Sequence, residues 1–249
     1  MRTVLVIGIG AGDPDFLTLQ ASAALKRARA VFALDKGDTK ADLLELRRRI
    51  IERHAPQTPI YSVEDPPRDR NPKNYDAEVR SWHSARAHLL ASSIRDNSDK
   101  DDTIAFLVWG DPSLYDSTLR IIEKMRELEG LEMAVDVIPG ITAIQVLTAR
   151  HGLLLNRIGE AIHITTGRNL KDTREIERRN CVVMLDGHAA WLENFSPQTY
   201  MWWGAYLGTD KEVLRHGYVS EIGHEVRDLK QDLRQRHGWI LDIYLLREL

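Results

Sequence analysis

The chain of 249 residues contains one cysteine, Cys181. That excludes an internal disulfide framework and a multi-cysteine zinc site. The thiol lies in the apolar run Cys181-Val182-Val183-Met184-Leu185 and reads as a small buried hydrophobe. No apolar run is long enough to span a bilayer, and since the first residues enter a strand directly no signal peptide is expected. The expectation is a cytoplasmic protein without a membrane partner. An excess of one charge is also missing. With 34 Lys and Arg against 37 Asp and Glu, the formal net charge is -3, which gives no global attraction to nucleic acid. The nine histidines are scattered and show no zincin spacing, so no metal site is expected. A Gly-x-Ser-x-Gly elbow and a Walker lysine loop are both absent.

What the chain does have is three glycine loops, each straight after an apolar strand. They are Gly8-Ile9-Gly10-Ala11-Gly12-Asp13-Pro14, Trp109-Gly110-Asp111-Pro112 and Ile138-Pro139-Gly140-Ile141-Thr142-Ala143. Glycine at a strand end lets the backbone turn sharply and approach a ligand closely. Together the loops suggest one composite small-molecule site. Aspartate in two of them argues against a phosphate cradle, because a carboxylate repels the anion.

Hydrophobic residues make up 43% and charged residues 29% of the chain, as in ordinary globular proteins. The pattern predicts strands over Thr3–Ile9, Ala30–Leu34, Pro59–Val63 and Thr103–Val108. Helices are expected over Leu19–Arg29 with Thr18 as N-cap, and over Ala41–His54, Asp76–Ile94 and Leu114–Leu128. Asp65 to Asn74 reads as a surface loop. This alternation is an α/β layout with a mostly parallel first sheet. After a helix near Thr142–Arg150, strands are denser, at Ala161–Thr165, Cys181–Leu185, Tyr200–Tyr206, Val213–Ser220 and Trp239–Leu246. Helices at Lys171–Arg178, His188–Phe195 and Glu221–Arg236 separate them, suggesting a second domain with a mixed sheet. The boundary is expected just past Pro112, giving domains 1–112 and 113–249.

The first loop invites a dinucleotide reading, with Gly8-x-Gly10 after a strand and Asp35 ending the second strand. The third fingerprint glycine is missing, and Asp13 stands in its place. A plain connecting turn is favoured over a nicotinamide-dependent oxidoreductase. A nucleotide-sensing module using the same loops is the non-enzyme reading. Of the pair Trp202-Trp203, alternation along a strand sends one indole to the core and the other to a cleft or subunit contact. The run Arg47-Arg48-Arg49 reads as a solvated helix face.

Taken together the loops resemble the tetrapyrrole (corrin/porphyrin) methylase family. Gly8 to Thr18 matches its opening Gly-x-Gly-x-Gly-Asp-Pro-x-x-Leu-Thr segment, Gly110-Asp111-Pro112 its second loop, and Pro139 to Ala143 its Pro-Gly-x-Ser/Thr-Ala segment. Two departures stand out. Thr165-Thr166-Gly167-Arg168 replaces a common Thr-Gly/Ala-His, and Val183-Met184-Leu185-Asp186-Gly187 replaces Tyr-Met-Gly while keeping the methionine. The resemblance implies a two-domain α/β fold, a homodimer, and a crevice between domains for S-adenosylmethionine, which leaves as S-adenosylhomocysteine. Gly110, Asp111, Leu114, Thr142, Ala143, Met184, Leu185 and Ala205 are the implied cofactor contacts.

Further stretches, among them Pro66-Pro67-Arg68-Asp69-Arg70 and Trp203-Gly204-Ala205-Tyr206-Leu207-Gly208-Thr209, resemble the branch that converts precorrin-5 to precorrin-6A with loss of an acyl group as acetate. Methylation at a different ring carbon is the alternative within the family. The tetrapyrrole substrate would lie near Gly12 and Asp13, its carboxylates met by Arg68 and Arg70. Asp13, Asp35 and Tyr115 are candidates to assist acyl loss as catalytic residues, and the sequence does not choose among them.

Overall fold

The computed structural model describes residues 1–37, 41–69 and 73–249. Its contacts divide the chain into two compact units, Met1–Ile141 and Thr142–Leu249. The expected boundary at Pro112 lies inside the first of these. The strand preceding the third glycine loop, β5 (Met133–Ile138), pairs with β1 (Arg2–Gly8) and belongs to the first sheet.

The first unit is a five-stranded parallel sheet in the order β3-β2-β4-β1-β5. Its other strands are β2 (Ala30–Asp35), β3 (Ile60–Glu64) and β4 (Thr103–Val108). Strand side chains alternate between faces. Leu5, Ile7, Val31 and Leu107 pack against α1 (Leu19–Arg27) and α2 (Ala41–His54) on one face. Val4, Val6, Phe32 and Phe106 pack against α3 (Tyr75–Asn97) and α4 (Thr118–Glu129) on the other. Being covered on both faces explains the unbroken apolar runs of β1 and β4. As expected, Thr18 caps α1, accepting from Ala21 N at 3.0 Å. Helix α4 begins at Thr118 rather than Leu114, because Asp111 to Ser117 forms turns in which Tyr115 has φ 51°. A left-handed residue cannot continue a right-handed helix.

The second unit opens with α5 (Ala143–His151) and carries a mixed sheet in the order β6-β7-β10-β8-β9. The strands are β6 (His163–Thr166), β7 (Asn180–Met184), β8 (Tyr200–Ala205), β9 (Val213–Tyr218) and β10 (Asp242–Arg247). Two helix expectations shrink. Lys171–Arg178 divides into a 3-10 segment, Gly167–Asp172, and α6 (Glu175–Arg178), while His188–Phe195 reduces to α7 (Trp191–Asn194). The break between the former pair is the extended Thr173 (φ -74°, ψ 129°). Helix α8 (Val219–His237) packs Val226 and Leu233 onto Trp203, Tyr244 and Leu246. Trp203 is the indole in the core, and half-buried Trp202 has Arg247 5.5 Å from its ring centre. Cys181 is fully buried, and burial pushes its thiol up to about 12.

Candidate functional site

In the first unit the three glycine loops meet main chain to main chain. A Cβ on Gly140 would lie 2.1 Å from the carbonyl oxygen of Gly110, and one on Gly8 would lie 2.5 Å from Gly140 N. Gly110 N donates to Gly10 O at 2.8 Å, an isolated bridge between two residues of positive φ. Asp111 closes this knot. Its Oδ2 accepts from Gly140 N at 2.8 Å, and its Oδ1 accepts from the amide and hydroxyl of Ser113. Partial burial opposes the charge, but the hydrogen bonds from Ser113 and Gly140 outweigh it and hold the carboxyl below its ordinary value. Leu114 follows, its amide bonded to Asp111 O at 3.2 Å.

The other expected residues of this unit are spread along its carboxyl edge. Gly12 is buried. Asp13 caps the 3-10 turn Pro14–Phe16, accepting from Asp15 N at 2.8 Å. Helix α1 therefore starts only at Leu19, removed from the glycine loop. That spacing disfavours a pyrophosphate seat. Asp35 ends β2 and accepts from Gly37 N at 2.9 Å. Tyr115 is 46% exposed. Arg68 is half-buried, 5.0 Å from the centre of the Trp82 ring. That ring donates from Nε1 to Pro66 O at 2.9 Å and also lies under Arg86, which forks onto Asp65. Residues Asp65 to Arg68 are thus stitched to α3. Arg70 lies outside the described residues.

In the second unit Thr142 caps α5 through a capping box with Gln145, and Ala143 is the first helical residue. Strands β7 and β8 run the same way on either side of β10, so their carboxyl ends share one edge. Met184 and Gly204 flank Ile243 in one row, and Ala205 pairs with Asp242. Leu185 follows at φ 53°, 56% exposed, while Ala205 is fully buried.

Beneath this edge lies a polar network that sequence reasoning missed. Lys230 donates to Asp242 Oδ2 at 2.7 Å and to the carbonyl of Asp186. Asp242 also accepts from Trp203 Nε1 at 2.9 Å, and Asp186 accepts from Tyr244 Oη at 2.8 Å and from two loop amides. Burial raises the carboxyl of Asp242, and Lys230 pulls the other way. These charges come from segments distant in sequence, and no spacing rule marks them.

Among the described residues no group of three or more His, Cys, Asp and Glu could hold a metal, and no helix is long and apolar enough to cross a membrane. Neither unit carries a nucleophile–histidine–acid array among these candidates.

The family model for Tetrapyrrole (Corrin/Porphyrin) Methylases matches residues 3–223. The chain is 41% identical, over 100% of its own length and 96% of the relative's, to a precorrin-6A synthase [deacetylating] from Sinorhizobium sp. It is 63% identical, with a TM-score of 0.90 over 100% of this chain and 99% of the other, to the crystal structure of a cobalamin-synthesis-related protein (CobF) from Corynebacterium diphtheriae. A uroporphyrin-III C-methyltransferase from Thermus thermophilus, solved with S-adenosylhomocysteine, shares the fold at 19% identity and a TM-score of 0.61, over 99% of this chain and 97% of that one. The chain belongs to the tetrapyrrole (corrin/porphyrin) methylases.

Proposed function

We propose that this chain is a C-methyltransferase of corrin synthesis that uses S-adenosylmethionine to convert precorrin-5 to precorrin-6A, releasing acetate and S-adenosylhomocysteine. The observation that carries the reading is the 41% identity, along the whole chain, with a precorrin-6A synthase [deacetylating]. The 63% identity with a cobalamin-synthesis-related structure supports a role in corrin synthesis.

The bound cofactor would supply a methyl group already activated by its sulfonium. The protein's work is then alignment, exclusion of water from the methyl donor, and placement of one water at the acyl carbonyl. In the first unit Gly110, Asp111 and Leu114 would offer main-chain groups and a carboxylate to the cofactor. In the second, Thr142, Ala143, Met184, Leu185 and Ala205 would do so. Leu185, exposed at the end of β7, would offer an apolar contact there. Acyl loss requires water to add to the carbonyl carbon. Cleavage of the bond to the ring then frees acetate and leaves the electron pair on the ring carbon that accepts the methyl. Asp13, Asp35 and Tyr115 are the candidates to take the water's proton. The protein would act in the cytoplasm as a homodimer on a small tetrapyrrole, without nucleic acid or membrane.

The class is tested by thermal shift. S-adenosylhomocysteine should raise the melting temperature by several degrees and NAD should not, with sedimentation velocity reporting the dimer. Stabilisation by NAD alone would replace this reading with an oxidoreductase.

A further inference from the structure

Strand β2 pairs with β4 only from Ala30 to Phe32. Beyond that point their carboxyl ends splay. Here the chain connections also diverge, with β2 leaving through α2 on one face and β4 through α4 on the other. Open α/β sheets bind ligands at such a point. The gap is a recess of about 80 Å³. That is room for several waters or one short polar side group. Phe32, Leu34, Phe106 and Ile121 give it apolar walls.

Its charged lining is Lys36, Arg47, Arg86 and Asp116. Arg86 is matched by its fork onto Asp65. The Asp116 carboxylate accepts from Thr118 N at 2.6 Å at the start of α4. Arg47 departs from the solvated face expected of it. Its Nε donates to Leu107 O at 3.0 Å, on β4 beyond the last residue paired with β2, and its Nη1 donates to Leu43 O at 2.7 Å. No carboxylate stands within ion-pair distance of it among the described residues. Burial pulls the guanidinium down to about 10 although Asp116 lies near enough to oppose this. A half-buried cation whose hydrogen bonds go only to carbonyls is held ready for an anion.

We propose that this recess receives a carboxylate side chain of the corrin precursor, with the methylene stem against the apolar walls and the carboxylate on Arg47. This rests on the reading of function given above. The chain carries a net charge of -3, so a polyanionic substrate needs local cations such as these.

The test measures equilibrium binding of precorrin-5 by tryptophan quenching and of S-adenosylhomocysteine by calorimetry. Arg47→Met should weaken precorrin-5 at least ten-fold, leave S-adenosylhomocysteine within two-fold, and be partly rescued in Arg47→Lys. If Arg47→Met fails to fold, Ser117→Phe decides. It fills the recess while Arg47 keeps its carbonyls, and it should weaken precorrin-5 alone. Unchanged precorrin-5 affinity in the folded variants overturns the inference, as does an equal loss for S-adenosylhomocysteine, whose own carboxylate would then be the occupant. Parent protein that binds precorrin-5 without releasing acetate contradicts the reading of function and leaves the recess to be judged by the same binding comparison. Parent protein that does not bind precorrin-5 overturns both.

Discussion

Gly140 donates its main-chain N–H to the carboxylate of Asp111 at 2.8 Å. One side chain thereby ties the second glycine loop to the third. The sequence marks Asp111 as a candidate ligand contact, and the structure shows its carboxylate holding the loops in register. Replacing it with alanine should cost about 1–3 kcal/mol of stability, because a half-buried amide loses its acceptor. Urea denaturation checks this, and a midpoint equal to the parent's would show that the bond carries no weight. The pH dependence follows from the carboxyl lying below its ordinary 3.8 in the folded state. The unfolded chain takes up the proton first as pH falls. The contribution is therefore full above about pH 4 and is lost as pH drops through the folded value. Asp111→Asn should flatten that part of the stability profile.

The contact of Gly140 with Gly110 and Gly8 is backbone against backbone, with no flexible side chain to move aside. Gly140→Ala should destabilise the protein by about 1–3 kcal/mol or more through forced backbone shifts. Alanine at Gly37, where nothing lies within 4 Å of an added Cβ, meets only the strain of its φ of +77° and should cost less. Equal melting temperatures for the two variants would contradict the knot of loops.

Lys230 and Asp242 are 4% and 3% exposed. Removing one buried partner strands the other charge, so Lys230→Met should cost about 3–5 kcal/mol. Adding Asp242→Asn, which removes the stranded charge and keeps an acceptor for Trp203, should recover part of that loss. A double variant no more stable than Lys230→Met would show the pair to be uncoupled.

Asp13 caps a 3-10 turn, and asparagine caps comparably well. Asp13→Asn should therefore fold and bind S-adenosylhomocysteine normally. If Asp13 activates or positions the attacking water, acetate release falls by at least ten-fold. Release within a few-fold of the parent transfers that role to Asp35 or Tyr115.

Much of this architecture was legible because sheets covered on both faces write themselves as apolar runs, as in Val4–Ile7 and Ile104–Val108. Glycines at strand ends were legible for a related reason, although Gly8 and Gly140 are small chiefly so that main chains can touch. Short helices were not. Leu114–Leu128 and Lys171–Arg178 have helical composition, but a left-handed Tyr115 and an extended Thr173 interrupt them, and neither residue type announces this. The inward turn of Arg47 was hidden as well. In sequence it is one of three adjacent arginines, and its contact with the Leu107 carbonyl lies beyond the last pairing of β2 with β4. The Lys230–Asp242–Asp186 network joins residues far apart in the chain, so no local pattern could reveal it.

A precorrin-6A synthase links methyl transfer to loss of the acyl group. The most direct measurement is the stoichiometry of acetate and S-adenosylhomocysteine formed when purified protein is given precorrin-5 and S-adenosylmethionine. One acetate is expected for each S-adenosylhomocysteine formed. S-adenosylhomocysteine formed without acetate would contradict it and assign the protein to methylation at a different ring carbon.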